Sequence, residues 1–442
     1  MLKYSFFHKQ VTQIPASITL TRKIDFDIMQ KAFKTEIERN DCLRLRIEKK
    51  GKNYRQYFLD SFDYGTVPVK NFSSPEELES FFTADAQKTI KVFKGEDFRV
   101  FFYNTSDGRN GIFFNVSHLI MDATAVFIFF NDLLAVYEAL ETGTELPKPL
   151  GSYRETIRRE LEYINNAEKV KKDQDFYIDY FAKDNGPIWN GVMGNGPLLE
   201  ARKKKKNPDL RACGSFDPIH DKAILVRKPV SFEDSKVILD YMAETGVSGE
   251  LISQLGMRLH VSKINGNTND THFLLLSNRR KTVNEKRSGG TMASAMPWRV
   301  ILPPDLTFAE AIDKIKDVQG DIMRHVNYPF LRWRDDESNM YHYSMTDGTT
   351  TMMLSWFPLE KDTMNNWEYE FHSYNLGSYV MPLYSYAMKD PYKDTLRFAY
   401  LHRTDTILDA DIDSLHDNTI KAMVMGCANP EIKLSEILAE ID

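Results

Sequence analysis

Apolar and polar positions along this chain follow two alternating rhythms, one of period two and one of period three to four. Residues 17–20 read as a strand, and Asp25 or Asp27 caps a helix running through Asn40, with Ile28, Ala32, Phe33 and Ile37 on its apolar face. Leu43, Leu45 and Ile47 alternate strictly and predict a strand that turns at Gly51-Lys52-Asn53 into a partner over 54–59. Pro75 with Glu76 and Glu77 opens a second helix. Residues 98–104 and 111–118 form a further hairpin around Asp107-Gly108-Arg109-Asn110. From there the chain enters a helix carrying Phe127, Phe130, Leu134 and Tyr137 at spacings of three and four.

A turn-rich connector over 141–152 leads to a long charged helix predicted over 153–181. Residues 185–221 look irregular, and the basic run 203–206 within them reads as a solvated loop. The second half has the same style. Strands are expected over 223–230, 271–277, 292–303, 349–357, 380–388 and 395–401. Helices are expected from Ser231 to about Ala243, over 248–264, 306–325 and 409–425, with a short one over 434–438. The aromatic-rich strands 352–357 and 383–388 are either core or cavity wall. This order implies an α/β (α+β) protein of two lobes with mixed sheets, dividing near Lys183 into 1–183 and 184–442.

Composition narrows the function. With 442 residues, 42% of them hydrophobic and 27% charged, the chain reads as globular, and its net charge of −6 argues against bulk attraction to nucleic acid or anionic membranes. The longest apolar run, 123–130, is well under the ~18–20 residues that span a bilayer, so no stable membrane insertion is expected. The N-terminal MLKYSFFHKQV lacks a secretory apolar segment. Cys42, Cys213 and Cys427 are widely separated, which fits a reducing cytoplasmic setting and no disulfide framework.

Candidate chemistry gathers where the strand 111–118 gives way to the helix, at His118 and Asp122. A histidine at a strand end can serve as a general base; from the residues alone the commoner case is a core residue satisfied by hydrogen bonds. No H-E-x-x-H motif or Cys/His cluster accompanies the pair, so no metal site is expected. Ser117 lacks a G-x-S-x-G elbow and, as the strand neighbour of His118, points the other way. His325, His342, His372 and His402 stand isolated and read as structural or surface residues.

The segment SHLIMDA (117–123) resembles the HHxxxDG motif of the condensation-domain and chloramphenicol-acetyltransferase-like acyltransferase superfamily. Residues 25–47 resemble its first helix and "LR" strand, and YRQYF (54–58), with Gln56, the strand that follows. SNRR (277–280) lies where those proteins carry an arginine at a strand end. SGGTMASAMPWRV (288–300) is similar to the "GxFxNTLPLR" segment, and 396–423 to the terminal strand and helix. The matches run in order through almost the whole chain.

The resemblance implies two chloramphenicol-acetyltransferase-like lobes in a V-shaped pseudo-dimer with a tunnel between them. It implies an acyltransferase, standing alone and similar to alcohol acetyltransferases or condensation proteins. The acyl donor would be a thioester on coenzyme A or on the phosphopantetheine of a carrier protein, used as co-substrate with no permanently bound cofactor. The acceptor would be a small-molecule alcohol or amine. His118 matches the catalytic histidine, Asp122 a structural aspartate, and Arg279 its expected arginine partner. Ser117 replaces the first motif histidine and Ala123 the glycine, and Ser294 stands where the family has asparagine. A catalytically silent relative that docks a carrier protein is the alternative.

Overall fold

A computed structural model describes residues 9–217, 219–344 and 346–442. The first eight residues, part of the stretch read above as carrying no secretory signal, lie outside the described residues.

The chain divides into two compact units, and not at Lys183. The first comprises Met1–Glu162, Asn278–Ala293 and Glu360–Ser378; the second comprises Tyr163–Ser277, Ser294–Leu359 and Tyr379–Asp442. The charged helix expected over 153–181 is two helices, Tyr153–Ile164 and Ala167–Ala182, and the boundary falls next to their junction. Asn166 causes the break: its side chain accepts the Lys169 N–H at 3.0 Å and so starts a new helix. The two downstream segments join the first unit through tertiary contacts that a linear reading does not show.

In the first unit a five-stranded sheet runs in the order Tyr369–Ser373, Gln13–Leu20, Asn110–Ser117, Phe98–Asn104 and Val69–Asn71. The pairing is antiparallel except for the last, parallel pair. Asn110–Ser117 is the middle strand, and all eight of its residues are buried. Successive side chains point to opposite faces. Phe113 stacks on Phe82 of the helix Pro75–Ala86 at 4.1 Å, and Phe114 stacks on Phe129 of the helix Ala123–Thr142 at 4.2 Å. The aromatic run therefore spans the unit from one helical layer to the other. Ala123–Thr142 is long and apolar enough, by length and composition, to cross a membrane, but Val126, Phe129, Phe130, Leu133 and Leu134 are buried in this core.

The second unit holds a six-stranded mixed sheet in the order Ala293–Ile301, Asp270–Asn278, Met352–Phe357, Leu383–Asp390, Thr395–Arg403 and Ala223–Pro229. Alternation resolves the aromatic-rich strands. Met352 and Leu354 join Leu383, Ala387, Phe398 and Tyr400 in the core formed with the helices Phe232–Thr245, Gly249–Ile264, Phe308–Arg324 and Asp409–Ala428. Ser355 and Phe357 lie on the opposite face, where Tyr384 donates to Ser355 Oγ at 3.1 Å and Phe357 stacks on Tyr386. The basic run 203–206 is not a loop: Lys203 to Lys205 form the last turn of a helix, Gly196–Lys205, and Lys206 closes it in the left-handed conformation. Cations complement the carbonyl end of a helix, so the run stabilises the turn it occupies.

The paired stacking around Phe113 leads to an expectation. Phe113→Ala removes a fully buried ring and leaves a cavity against Phe82, lowering stability by about 3–5 kcal/mol. Urea unfolding followed by tryptophan fluorescence measures it, and a loss under about 1 kcal/mol would contradict this account of the core.

Candidate active site

The buried strand Asn110–Ser117 ends at a turn whose backbone is held on every side. Ser117 N–H donates to the Asp97 carbonyl at 2.9 Å, and His118 N–H donates to the Thr12 carbonyl at 2.6 Å. Ile120 and Met121 N–H both return to the Ser117 carbonyl, at 3.0 and 3.2 Å, tightening the turn before the helix Ala123–Thr142. Ser117 is fully buried, and its Oγ accepts the Leu119 N–H at 3.3 Å, so its hydroxyl serves the turn. Asp122 is the helix cap: Oδ1 accepts the Ala125 N–H at 2.8 Å. Ala123 is the first helical residue and is not among the positive-φ positions, so a methyl group is accommodated here without strain.

Arg279 does not pair with Asp122; Arg280 does. Arg280 Nη1 donates to Asp122 Oδ2 at 2.9 Å, and both side chains are 1% exposed. The same oxygen accepts the N–H groups of Met292 at 2.6 Å and Ala293 at 2.8 Å. Arg280 is itself held by Asn278 Oδ1 at 3.1 Å and by the carbonyls of Ser288 and Gly290. Arg279 instead donates to the Met292 carbonyl at 3.1 Å and pairs with Glu160. Adjacent side chains on an extended segment point apart, so of two neighbouring arginines only one faces the carboxylate. The path of Asn278–Ala293 decides which. Gly290 permits that path, since a Cβ there would lie 2.0 Å from the Tyr153 ring.

Burial by itself would raise the Asp122 carboxyl. The Arg280 guanidinium, its hydrogen bond and the Met292 and Ala125 N–H groups more than reverse this, so the group stays ionised below the usual carboxylate range. His118 is half-buried, with Nδ1 closed off from solvent and without a well-formed hydrogen bond among the described residues. Burial pushes its pKa below the ordinary 6.5, against a smaller opposing pull from the Asp122 carboxylate and a contact with its own backbone carbonyl. The outcome is a neutral imidazole near pH 7, beside a carboxylate committed to a structural arginine.

The four histidines read as isolated stand elsewhere. His325 stacks on Phe176 and meets Asp173 at 2.7 Å, His372 meets Glu79 at 2.7 Å, His402 is fully buried and His342 is exposed. Ser294 donates only weakly, to the Ala295 carbonyl at 3.4 Å. Among the described residues no group of three or more His, Cys, Asp or Glu side chains is placed to hold a metal. Three residues around the turn were not singled out from sequence: Arg280, Tyr153 and Thr291, whose Oγ donates to the His118 carbonyl at 2.9 Å. The adjacent SNRR and SGGT segments were the available signal, without the register to use it.

The condensation-domain family model matches residues 1–340. The chain belongs to the condensation-domain family. Members of that family carry out acyl transfer or amide-bond formation. This condensation-domain protein is 23% identical to surfactin synthase subunit 1 of Bacillus subtilis (strain 168), over 94% of the chain but only 11% of that relative. It is 19% identical to surfactin synthase subunit 2 of the same organism, over 96% of the chain and 11% of that relative. The chain thus spans a small fraction of both. Among solved structures, the starter condensation domain of rhizomide synthetase in complex with C8-CoA matches with a TM-score of 0.80 at 14% identity, covering 98% of this chain and 94% of that one. The first condensation domain of the calcium-dependent antibiotic synthetase, in complex with a substrate analogue, matches with a TM-score of 0.79 at 13% identity, covering 98% and 96%.

The two arginines of this condensation-domain protein should behave differently. Arg280→Ala leaves a buried carboxylate unpaired and lowers stability by about 3–5 kcal/mol, whereas Arg279→Ala breaks a partly exposed pair and costs less than about 1 kcal/mol. The Asp122 contribution is complete above the unfolded carboxylate value of about 3.9 and is lost as pH falls through the lower folded value. The gap between wild type and Arg280→Ala therefore closes in acid. Denaturant titrations of both variants from neutral to low pH measure these differences, and equal losses for the two arginines would overturn the assignment.

Proposed function

We propose that this protein is an acyltransferase that moves an acyl group from a thioester donor to an alcohol or amine, with His118 as general base. The observation that carries this reading is the state of His118: a half-buried imidazole kept neutral by burial, at the end of a rigid strand, with its neighbouring carboxylate locked onto Arg280. A thioester is already activated, so the protein has to place a nucleophile and manage one proton. The neutral ring accepts the proton of the acceptor hydroxyl or amine as its lone pair bonds to the thioester carbonyl carbon. The tetrahedral adduct then collapses, the carbon–sulfur bond breaks, and the departing thiolate takes the proton back from the imidazolium. Asp122 takes no proton in this scheme and holds the turn.

The donor class is supported by the rhizomide starter condensation domain, described with C8-CoA and also with C8-CoA and Leu-SNAC. The similarity to two synthase subunits much longer than this chain supports a carrier-protein thioester as the other donor source. A catalytically silent, carrier-binding role is the second reading; the buried serine in place of the first motif histidine is what favours it.

Release of free thiol from a panel of acyl-CoAs and acyl-phosphopantetheinyl carriers, with mixed alcohols and amines, tests the reading. His118→Ala should lose at least about tenfold in turnover, since general bases contribute roughly 10²–10⁴-fold. Unchanged turnover in that variant would overturn the role of His118. Because its pKa lies below the ordinary value, the acid limb of the wild-type kcat/KM profile should be centred below 6.5. An acid limb centred above 6.5 would contradict the burial argument.

A further inference from the structure

In a Ser-His-Asp arrangement a carboxylate grips the second ring nitrogen and so aims the imidazole. That device is missing from His118 as described, because Asp122 is committed to Arg280 and Nδ1 has no well-formed partner. What the structure fixes instead is the backbone that carries the ring: the His118 N–H donates to the Thr12 carbonyl at 2.6 Å, and the His118 carbonyl is held as well.

The carbonyl has a specific anchor. Thr291 Oγ donates to it at 2.9 Å from the segment Asn278–Ala293. Thr291 is in turn fixed by Tyr153, whose hydroxyl donates to the Thr291 carbonyl at 2.9 Å. Tyr153 is buried against Gly290, and its own N–H donates to the Asp41 carboxylate at 2.9 Å. Immediately after Thr291, the N–H groups of Met292 and Ala293 bind Asp122. One short stretch of chain thus clamps the turn at both ends, at the carbonyl of the first residue and the carboxylate of the last.

We propose that Thr291 is a positioning residue for His118, its hydroxyl fixing the backbone carbonyl of the residue that carries the imidazole, with Tyr153 holding Thr291 in place. The catalytic consequence rests on His118 acting as base; the structural consequence does not. Removing the hydroxyl should loosen the turn, let the ring sample more than one orientation and admit water to it, which relieves the burial that lowers its pKa.

The test uses the full chain with isotope-labelled histidine, the His118 ring signal being the one absent from His118→Ala. Thr291→Val, which keeps shape but removes the donor, should broaden or split that signal and move its titration midpoint upward. Thr291→Ser should restore the wild-type signal and midpoint. On the wild-type reaction, Thr291→Val should lower kcat about tenfold with KM within about twofold, because misplacing a reacting group costs rate more than binding. A wild-type ring signal and midpoint in Thr291→Val overturns the proposal, as does unchanged kcat in a protein that turns over. If the wild type turns over no donor, the acyltransferase reading fails, and the ring titration still decides the positioning role. If Thr291→Val does not fold, Tyr153→Phe takes its place: the same broadening and upward shift supports the proposal, and an undisturbed ring refutes it.

Discussion

One carboxylate oxygen, Asp122 Oδ2, accepts a guanidinium N–H and two backbone N–H groups, while its partner oxygen caps the helix Ala123–Thr142. The first unit depends on this arrangement in two ways. It neutralises a charge that burial would otherwise make costly, and it ties the segment Asn278–Ala293 to a strand and helix far upstream. A buried ion pair is weak evidence for net stability, since desolvation offsets most of its attraction. What it supplies is a tie: Arg280 and the Met292 and Ala293 N–H groups, all from Asn278–Ala293, meet on one oxygen of Asp122.

The same pair shapes the chemistry of His118. A carboxylate near a histidine can act as its orienting partner, or it can be spent elsewhere. Four hydrogen bonds on Asp122 leave it no role on the ring, so its influence on His118 is a modest electrostatic pull that burial outweighs. The site thus separates two tasks across one helical entry. The turn is held by charge and backbone amides, and the imidazole is kept neutral by burial, the state that the proposed role as general base requires.

Much of the fold was legible because its cues are local. The buried apolar strand at 111–118 and the apolar helix after it, with His118 and Asp122 between them, appear where the pattern places them, and the ordered motifs along the chain carried the family. The failures have separate physical causes. Residues 153–181 have continuous helical periodicity, and only the side-chain hydrogen bond of Asn166 breaks it. The run 203–206 looks like a solvated loop by charge, yet it is the cationic end of a helix begun at Gly196. The edge strand Tyr369–Ser373 gains its identity from pairing with Gln13–Leu20, a partner at the other end of the chain.

By itself the sequence determined that His118 and Asp122 sit where a buried strand gives way to a helix, because that follows from the apolar pattern within a few residues. Only the tertiary structure decided that Arg280, not Arg279, meets that aspartate, that Asn278–Ala293 and Glu360–Ser378 belong to the first unit, and that Thr291 reaches the His118 carbonyl. Each of these depends on the direction in which one side chain leaves a segment brought in from a distance. A shift of one residue reverses that direction while leaving the local hydrophobic pattern almost unchanged.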